Sequence, residues 1–312
     1  MKKIISTLII TLFVFCVVNA QDKWAIALHG GAGSAPQNMT KEQIAVYETE
    51  LLKSLEIGKQ MLRNGASALD AVEAVVISLE NNPMFNAGKG AVTNSEGIHE
   101  LDAAIMDGSN LKAGAVAGVR DVKNPIKAAR LVMDSTDHVL LIADGASKFA
   151  SQMGLEIVEN SYFSVDKKVK QHSDKGTVGC VALDVHGNLA AATSTGGMRG
   201  KKWGRVGDVP IIGAGTYANN HTVAVSGTGH GELWIRRVVA YDISALMEYK
   251  GLSLEEAANE VIFNKISPMG GSGGGIIAVD KNGNISLVFN TSLMHRAWAK
   301  SDGKQGVGVL KN

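Results

Sequence analysis

Apolar residues along this chain change period several times, and the changes mark its elements. Trp24 to Leu28 is a short continuous apolar run, read as a buried strand entering the glycine-rich stretch His29-Gly-Gly-Ala-Gly33. From Thr40 to Asn64 the period becomes helical, with Ile44, Tyr47, Leu51, Leu55 and Leu62 on one face. Thr40 and Gln43 have capping-box spacing at its start, and Gly65 can close its end. Ser67 to Leu79 predicts a second, more buried helix, stopped by Asn81-Asn-Pro83. Ala103 to Val119 reads as strands about a turn at Asp107–Asn110, followed by helices near Pro125–Met133 and Asp144–Met153. Beyond Thr177 the chain turns strongly β. Strands are expected near Ile211 and Val223, a helix from Glu232 to Tyr249, and another capped by Ser253 and Glu256. Two stretches, Ala182–Asn188 and Ala278–Asn284, share the hairpin pattern A-x-D-x-x-G-N, which suggests neighbouring or symmetric strands in one architecture. Sheets covered by helices follow from this order, with no convincing domain boundary.

The first twenty residues stand apart. Lys2 and Lys3 precede an apolar run from Ile4 to Val18, and Val18-Asn19-Ala20 supplies small residues for cleavage. This predicts a signal peptide over 1–20 and an exported, periplasmic or secreted protein. The run is shorter than the ~20 residues a spanning helix needs, so no membrane anchor is expected in the mature form. Without Lys2 and Lys3, 29 basic residues face 30 acidic ones, a balance that suggests neither nucleic acid nor an anionic membrane as partner. Cys16 leaves with the leader and Cys180 remains alone, so the core or a subunit interface must hold the fold without an internal disulfide.

Chemistry concentrates at Gly176-Thr177, where a polar stretch from Asn160 meets the alternating run Thr177–Asp184. Cutting the bond before Thr177 would give that residue a free α-amine beside its hydroxyl, a nucleophile and a base on one residue. With a pKa near 7.8, roughly 10–20% of such an amine is neutral at pH 7. An ordinary threonine opening an ordinary strand is the bland alternative. Thr222 to Glu232 reads as strand, glycine loop and helix start, where Thr228 and the Gly229 N–H can serve an oxyanion or where the glycines simply allow close packing. In Trp203–Pro210, Arg205 can grip a carboxylate and Asp208 an ammonium, or the two can pair with each other. The carbonyls of Leu79–Gly90 can hold a hard cation, or form a loop without metal. Gly270-Gly-Ser-Gly-Gly274 matches a serine elbow by letter, yet a strand follows where a helix is required, so it reads as a turn. Ser164–Lys167 matches S-x-x-K without its partner motifs, and no spacing supports catalytic zinc.

Taken together these motifs resemble the threonine-dependent isoaspartyl peptidase and plant-type L-asparaginase family of N-terminal-nucleophile hydrolases. His29–Gly33, Phe85–Gly88, His99–Ala103 with Met106–Gly108, Gly176–Gly179, Thr193–Met198, Gly204–Asp208, Gly227–Glu232 and Phe289–Thr291 carry the likeness in order along the whole mature chain. The resemblance implies an α+β, four-layer αββα sandwich, made as one domain and self-cleaved into an α chain (21–176) and a β chain (177–312). Two αβ units would then pair. It implies Thr177 as nucleophile in self-cleavage and in hydrolysis of β-aspartyl dipeptides and L-asparagine, supported by Thr195, with Thr228 and Gly229 as oxyanion hole. Arg205 would bind the substrate α-carboxylate, Asp208 and Gly231 the α-amine, and Asn86 would lie by the nucleophile. It further implies no catalytic cofactor, and a structural Na⁺ on main-chain carbonyls of Leu79, Glu80, Asn82, Phe85, Ala87 and Lys89. His230 departs from many relatives and admits glycosylasparaginase as the alternative, though Gly176 and His29–Gly33 favour the peptidase branch. An inactive exported amino-acid-binding protein is the remote alternative, against which Thr177, Thr195, Arg205 and Asp208 all stand.

Overall fold

The structure, a computed structural model, describes residues 23–165, 176–271 and 273–311. The expected leader, residues 166–175 of the polar stretch and Ser272 of the glycine run lie outside the described residues. Twelve strands are described: β1 (Ala25–Gly33), β2 (Leu101–Asp107), β3 (Ala113–Val119), β4 (Leu140–Ile142), β5 (Val178–Leu183), β6 (Leu189–Thr195), β7 (Thr216–Ala218), β8 (Val223–Gly229), β9 (Gly274–Asp280), β10 (Ile285–Ser286), β11 (Leu293–Lys300) and β12 (Gln305–Leu310). They form an eight-stranded sheet, β12-β11-β1-β5-β6-β2-β3-β4, and a four-stranded sheet, β10-β9-β8-β7. Every pairing is antiparallel except β3 with β4.

Period-two alternation sorts each strand between two cores. On the large sheet Ile26, Leu28, Val178, Cys180 and Ala182 face helices α1 (Lys41–Arg63), α2 (Ala68–Glu80), α3 (Pro125–Ser135) and α4 (Ala143–Gln152). Their neighbours Ala25, Ala27, Val181 and Leu183 face the small sheet, where Ala224, Ile277 and Val279 meet them. The outer side of the small sheet packs Val223, Val225, Ile276 and Ala278 against α5 (Gly231–Arg237), α6 (Val239–Lys250) and α7 (Leu254–Asn259). The result is the four-layer αββα sandwich. Each fully buried aliphatic side chain in it contributes about 1.5–3 kcal/mol.

Local chemistry explains most boundaries. Both halves of the Thr40–Gln43 capping box form at the start of α1, and Gly65 follows its end at φ 81°. Ser253 and Glu256 cap α7 in the same way, and the helix continues as a π-helical turn over Glu260–Ile266. The two A-x-D-x-x-G-N stretches fold alike. Asp184 Oδ1 accepts the N–H groups of His186 and Asn188, as Asp280 Oδ1 accepts those of Asn282 and Asn284. One hairpin lies in each sheet.

Three expectations are corrected. The segment near Ile211 is not a strand. Ile211 and Gly215 both donate to the Asp208 carbonyl, which coils the chain into turns, and β7 begins only at Thr216. The single helix expected over Glu232–Tyr249 is two, broken at Val238 in the left-handed region (φ 50°). The N–H groups of Ala240 and Tyr241 bond to the carbonyls of Ala214 and Gly213, so the second helix starts on that loop rather than continuing the first. β1 also runs through the glycines to Gly33, with a bulge between His29 and Gly31, because β11 pairs along it. The structure adds strands β4, β11 and β12 to those expected. Asp302-Gly303 was the turn signal for the last pair.

Asp184 ties two layers together: its Oδ2 accepts the Ala68 N–H at 2.9 Å, at the positive end of α2. Replacing it leaves three backbone donors without their acceptor. Asp184→Ala is therefore expected to lower the unfolding free energy by about 2–3 kcal/mol, measured by urea denaturation.

Candidate active site

Thr177 immediately precedes β5 and is nearly buried. The β5–β6 register sets it opposite Thr195, and its Oγ1 donates to Thr195 Oγ1 at 3.1 Å. Thr195 Oγ1 also accepts the Gly197 N–H at 2.9 Å and lies 3.4 Å from the carbonyl oxygen of Gly176. That carbonyl accepts a further bond from Asn86 Nδ2 at 2.8 Å. Gly176 holds φ 129°, and a side chain there would begin 2.6 Å from the Gly31 Cα, so only glycine fits before the threonine.

These groups open on a cavity of about 410 Å³, bounded by Ala32, Thr177, Thr195, Arg205, Asp208, Gly229 and His230. Of the expected oxyanion pair, Gly229 lines the cavity. Thr228 is fully buried, and its Oγ1 accepts the Ala32 N–H at 3.1 Å while retaining its own proton to donate. Gly231 stands against both Arg205 and Asp208: a side chain there would begin 2.8 Å from Arg205 Nη2 and from Asp208 Oδ1.

Arg205 and Asp208 share the cavity but do not pair as neighbours on the loop suggested. Arg205 forks instead to Glu232, Nε to Oε1 and Nη2 to Oε2, both at 3.0 Å, which holds the Glu232 carboxyl below the usual range. Asp208 is buried, and its Oδ2 has no hydrogen-bond partner among the described residues. Burial pushes its carboxyl up to about 7, against the opposing pull of Arg205. Beneath Gly197, Lys201 Nζ donates to the Glu100 carbonyl at 2.9 Å, and burial lowers its pKa. Asp102, whose carboxyl burial raises, accepts the Gly118 N–H.

Sequence reasoning missed Glu232, Lys201 and Asp102 as parts of this site, and it missed a buried polar chain behind Thr177. His29 Nε2 meets Ser226 Oγ at 2.9 Å, Ser226 meets Thr193 Oγ1 at 2.8 Å, and Thr216 Oγ1 meets Thr193 at 2.7 Å. Desolvation pushes His29 down to about 3, so it is neutral. A side chain at Gly179 would collide with Ser226 Oγ and His29 Nε2, which accounts for glycine two residues after Thr177. The signal was there in the polar residues of alternating strand positions, Thr193 and Ser226.

The loop after α2 supplies neutral oxygens of the kind a hard cation takes. Side chains at Gly88 and Gly90 would run into the carbonyls of Glu80, and of Pro83 and Phe85, so the two glycines leave a cradle of main-chain oxygens. The carbonyls of Leu79, Asn82 and Ala87 accept one backbone N–H each. Glu80 turns its carboxyl away from this loop, to Ser194, Asn124 and the Ile126 N–H, and burial raises it to about 7. Lys89 directs its ammonium over Tyr162. The residues present therefore fit a cation held by the main chain. Among the described residues no cluster of His, Cys, Asp and Glu is placed to hold a metal.

A family model described as asparaginase matches residues 22–174 and 166–309 of this chain. The chain belongs to the asparaginase family. Within that family it is 49% identical to an isoaspartyl peptidase of Escherichia coli (strain K12), over 93% of this chain and 97% of the relative. An isoaspartyl peptidase/L-asparaginase of Xenopus laevis is 44% identical (90% and 93% covered), and one of Bos taurus 43% (91% and 95%). The family's αββα architecture is the fold described above.

Asp208 gives a pH test of this geometry. Its native pKa of about 7 stands above the ordinary 3.8. Between those values the native state keeps a proton that the unfolded chain has lost, so this group makes stability fall as pH rises toward 7 and then level off. Asp208→Asn should remove the effect. The variant's stability relative to wild type, from urea titrations at pH 5 and pH 8, should be higher at pH 8 by at least about 1.4 kcal/mol.

Proposed function

We propose that this protein hydrolyses β-aspartyl dipeptides and L-asparagine with Thr177 as nucleophile, after cutting its own chain between Gly176 and Thr177. One observation carries the reading: the Thr177 hydroxyl, 3.1 Å from Thr195, adjoins a Gly176 carbonyl already held by Asn86. In self-cleavage Thr177 Oγ1 bonds to the Gly176 carbonyl carbon, the Gly176–Thr177 C–N bond breaks, and the nitrogen takes the proton. Water then splits the ester, leaving a Gly176 carboxylate and a free Thr177 amine. Asn86 Nδ2 and Thr195 Oγ1 are the donors positioned for the charge that develops on the carbonyl oxygen.

In substrate hydrolysis the new amine accepts the Thr177 hydroxyl proton as Oγ1 attacks the side-chain carbonyl carbon. The leaving amine departs with a proton, and water cleaves the acyl-threonine. Arg205 takes the substrate α-carboxylate, Asp208 and Gly231 face the α-amine, and Thr228 and Gly229 stabilise the oxyanion. The head-group assignment draws on the presence of one guanidinium and one buried carboxyl in the same cavity. The αβ units pair as (αβ)₂, the protein is exported to the periplasm or medium after losing residues 1–20, and a structural Na⁺ sits on the carbonyls of Leu79, Glu80, Asn82, Phe85, Ala87 and Lys89.

Intact mass of purified protein should show two chains divided at Gly176-Thr177, while Thr177→Ala stays a single chain. An uncut, fully active wild type would overturn the mechanism. Asn86→Ala, which removes one carbonyl donor, should slow cleavage by about 10²–10³-fold, followed by electrophoresis against time. Side-by-side kcat/KM values should rank β-aspartyl dipeptides above glycosylated asparagine, with L-asparagine also turned over. A preference for the sugar-linked substrate would reassign the chain to glycosylasparaginase.

A further inference from the structure

Glu232, in the first turn of α5, shares one carboxylate between two cavity-lining residues. Its two oxygens take Arg205 Nε and Nη2 at 3.0 Å each, and Oε2 also lies 3.3 Å from His230 Nε2. Arg205 and His230 line the cavity. A guanidinium carries five N–H donors in a flat fork. The side-on pairing with Glu232 consumes the Nε hydrogen and one of Nη2. Both hydrogens of Nη1 and the second of Nη2 remain, and together they form the end-on edge suited to a second, bidentate carboxylate.

The surroundings limit where that edge can turn. A side chain at Gly207 would begin 2.8 Å from Arg205 Nη1, and one at Gly231 2.8 Å from Nη2, so both glycines leave the guanidinium room that any side chain would take. Glu232 is more exposed, at 45% of its side chain, against 19% for Arg205 and 31% for His230. A half-exposed glutamate holds a fixed pose only when its oxygens are engaged. His230 Nε2, 3.3 Å from Oε2, is the second polar group set against that carboxylate, within ion-pair reach of it. Its Nδ1 is buried against the turn at Gly271.

We propose that His230 and Glu232 are positioning residues for substrate recognition: the imidazole holds the Glu232 carboxylate, which holds Arg205 side-on, so that the end-on edge meets the substrate α-carboxylate. The inference rests on Arg205 being the head-group residue of the proposed function. It assigns His230 to the carboxylate side of the substrate rather than to the leaving group.

The test uses the mature, self-cleaved enzyme, first checked for wild-type turnover of a β-aspartyl dipeptide; without turnover the functional reading fails, and this one with it. Given turnover, His230→Ala should raise KM several-fold with kcat within a factor of two, because binding common to ground and transition states is what is lost. His230→Gln, which restores an N–H donor, should recover much of the loss. Glu232→Gln should raise KM further, and adding His230→Ala to it should change little, since both act through one contact. On a substrate whose α-carboxylate is a carboxamide, His230→Ala should have no added effect. A fall in kcat at unchanged KM, an equal loss on the carboxamide, or full additivity of the two substitutions would each overturn the proposal.

Discussion

One carboxamide, that of Asn86, fixes the geometry on which the site depends. Its Oδ1 accepts the Val92 N–H at 2.9 Å, and its Nδ2 donates to the carbonyls of Gly176 and Gly197. Its main-chain oxygen accepts the Gly196 N–H. The partners leave no choice of amide orientation, since one side meets a donor and the other two acceptors. A loop of the helical layer is thereby stitched to the residue before Thr177 and to the turn after β6. Thr195, whose hydroxyl receives Thr177, lies between those two stitches. A neutral amide does this without placing a charge beside the Gly176 carbonyl, to which it donates.

Much of the fold was legible because its elements announce themselves locally. Thr40 with Gln43, and Ser253 with Glu256, both form the boxes their spacing implies, and the paired A-x-D-x-x-G-N turns fold as near copies. The misreadings arose where a tertiary bond overrides local preference. Apolar Ile211 looked like part of a strand, yet two N–H groups drawn to the Asp208 carbonyl wind that segment into turns. Nothing in the letters around Val238 marks a break, because the cause is the carbonyls of Gly213 and Ala214 some two dozen residues earlier. In the site, residues that carry a motif were easy to name. Partners were not: Glu232 lies 27 residues from Arg205, and no spacing rule connects them.

The space between the sheets divides into two chemistries. Alanines at 25, 27, 191, 218 and 224 let the layers approach without polar atoms to satisfy. Closer to Thr177 the same seam is filled by His29, Ser226, Thr193 and Thr216, all fully buried and joined by hydroxyl contacts. A polar seam linked by hydrogen bonds is stiffer than a greasy one, because its members cannot slide without orphaning a buried donor. The neutral imidazole at its end adds no charge, so the rigid backing of Thr177 comes without a field that would bias its hydroxyl.

Strand order has a further consequence for the cut proposed after residue 176. In the large sheet β12 and β11 come from the downstream piece, β1 from the upstream one, β5 and β6 from downstream again, and β2, β3 and β4 from upstream. The fragments therefore alternate like fingers of two clasped hands, meeting at β11–β1, β1–β5 and β6–β2. The proposed scission would free a terminus at Thr177 while each fragment stayed gripped by the other along three ladders. Folding, however, changes its order of reaction: an intact precursor finds its partners within one molecule, whereas unfolded fragments must meet by collision, with stability then set by their concentration. Once divided, the molecule would keep a shape that it assembled as a single thread.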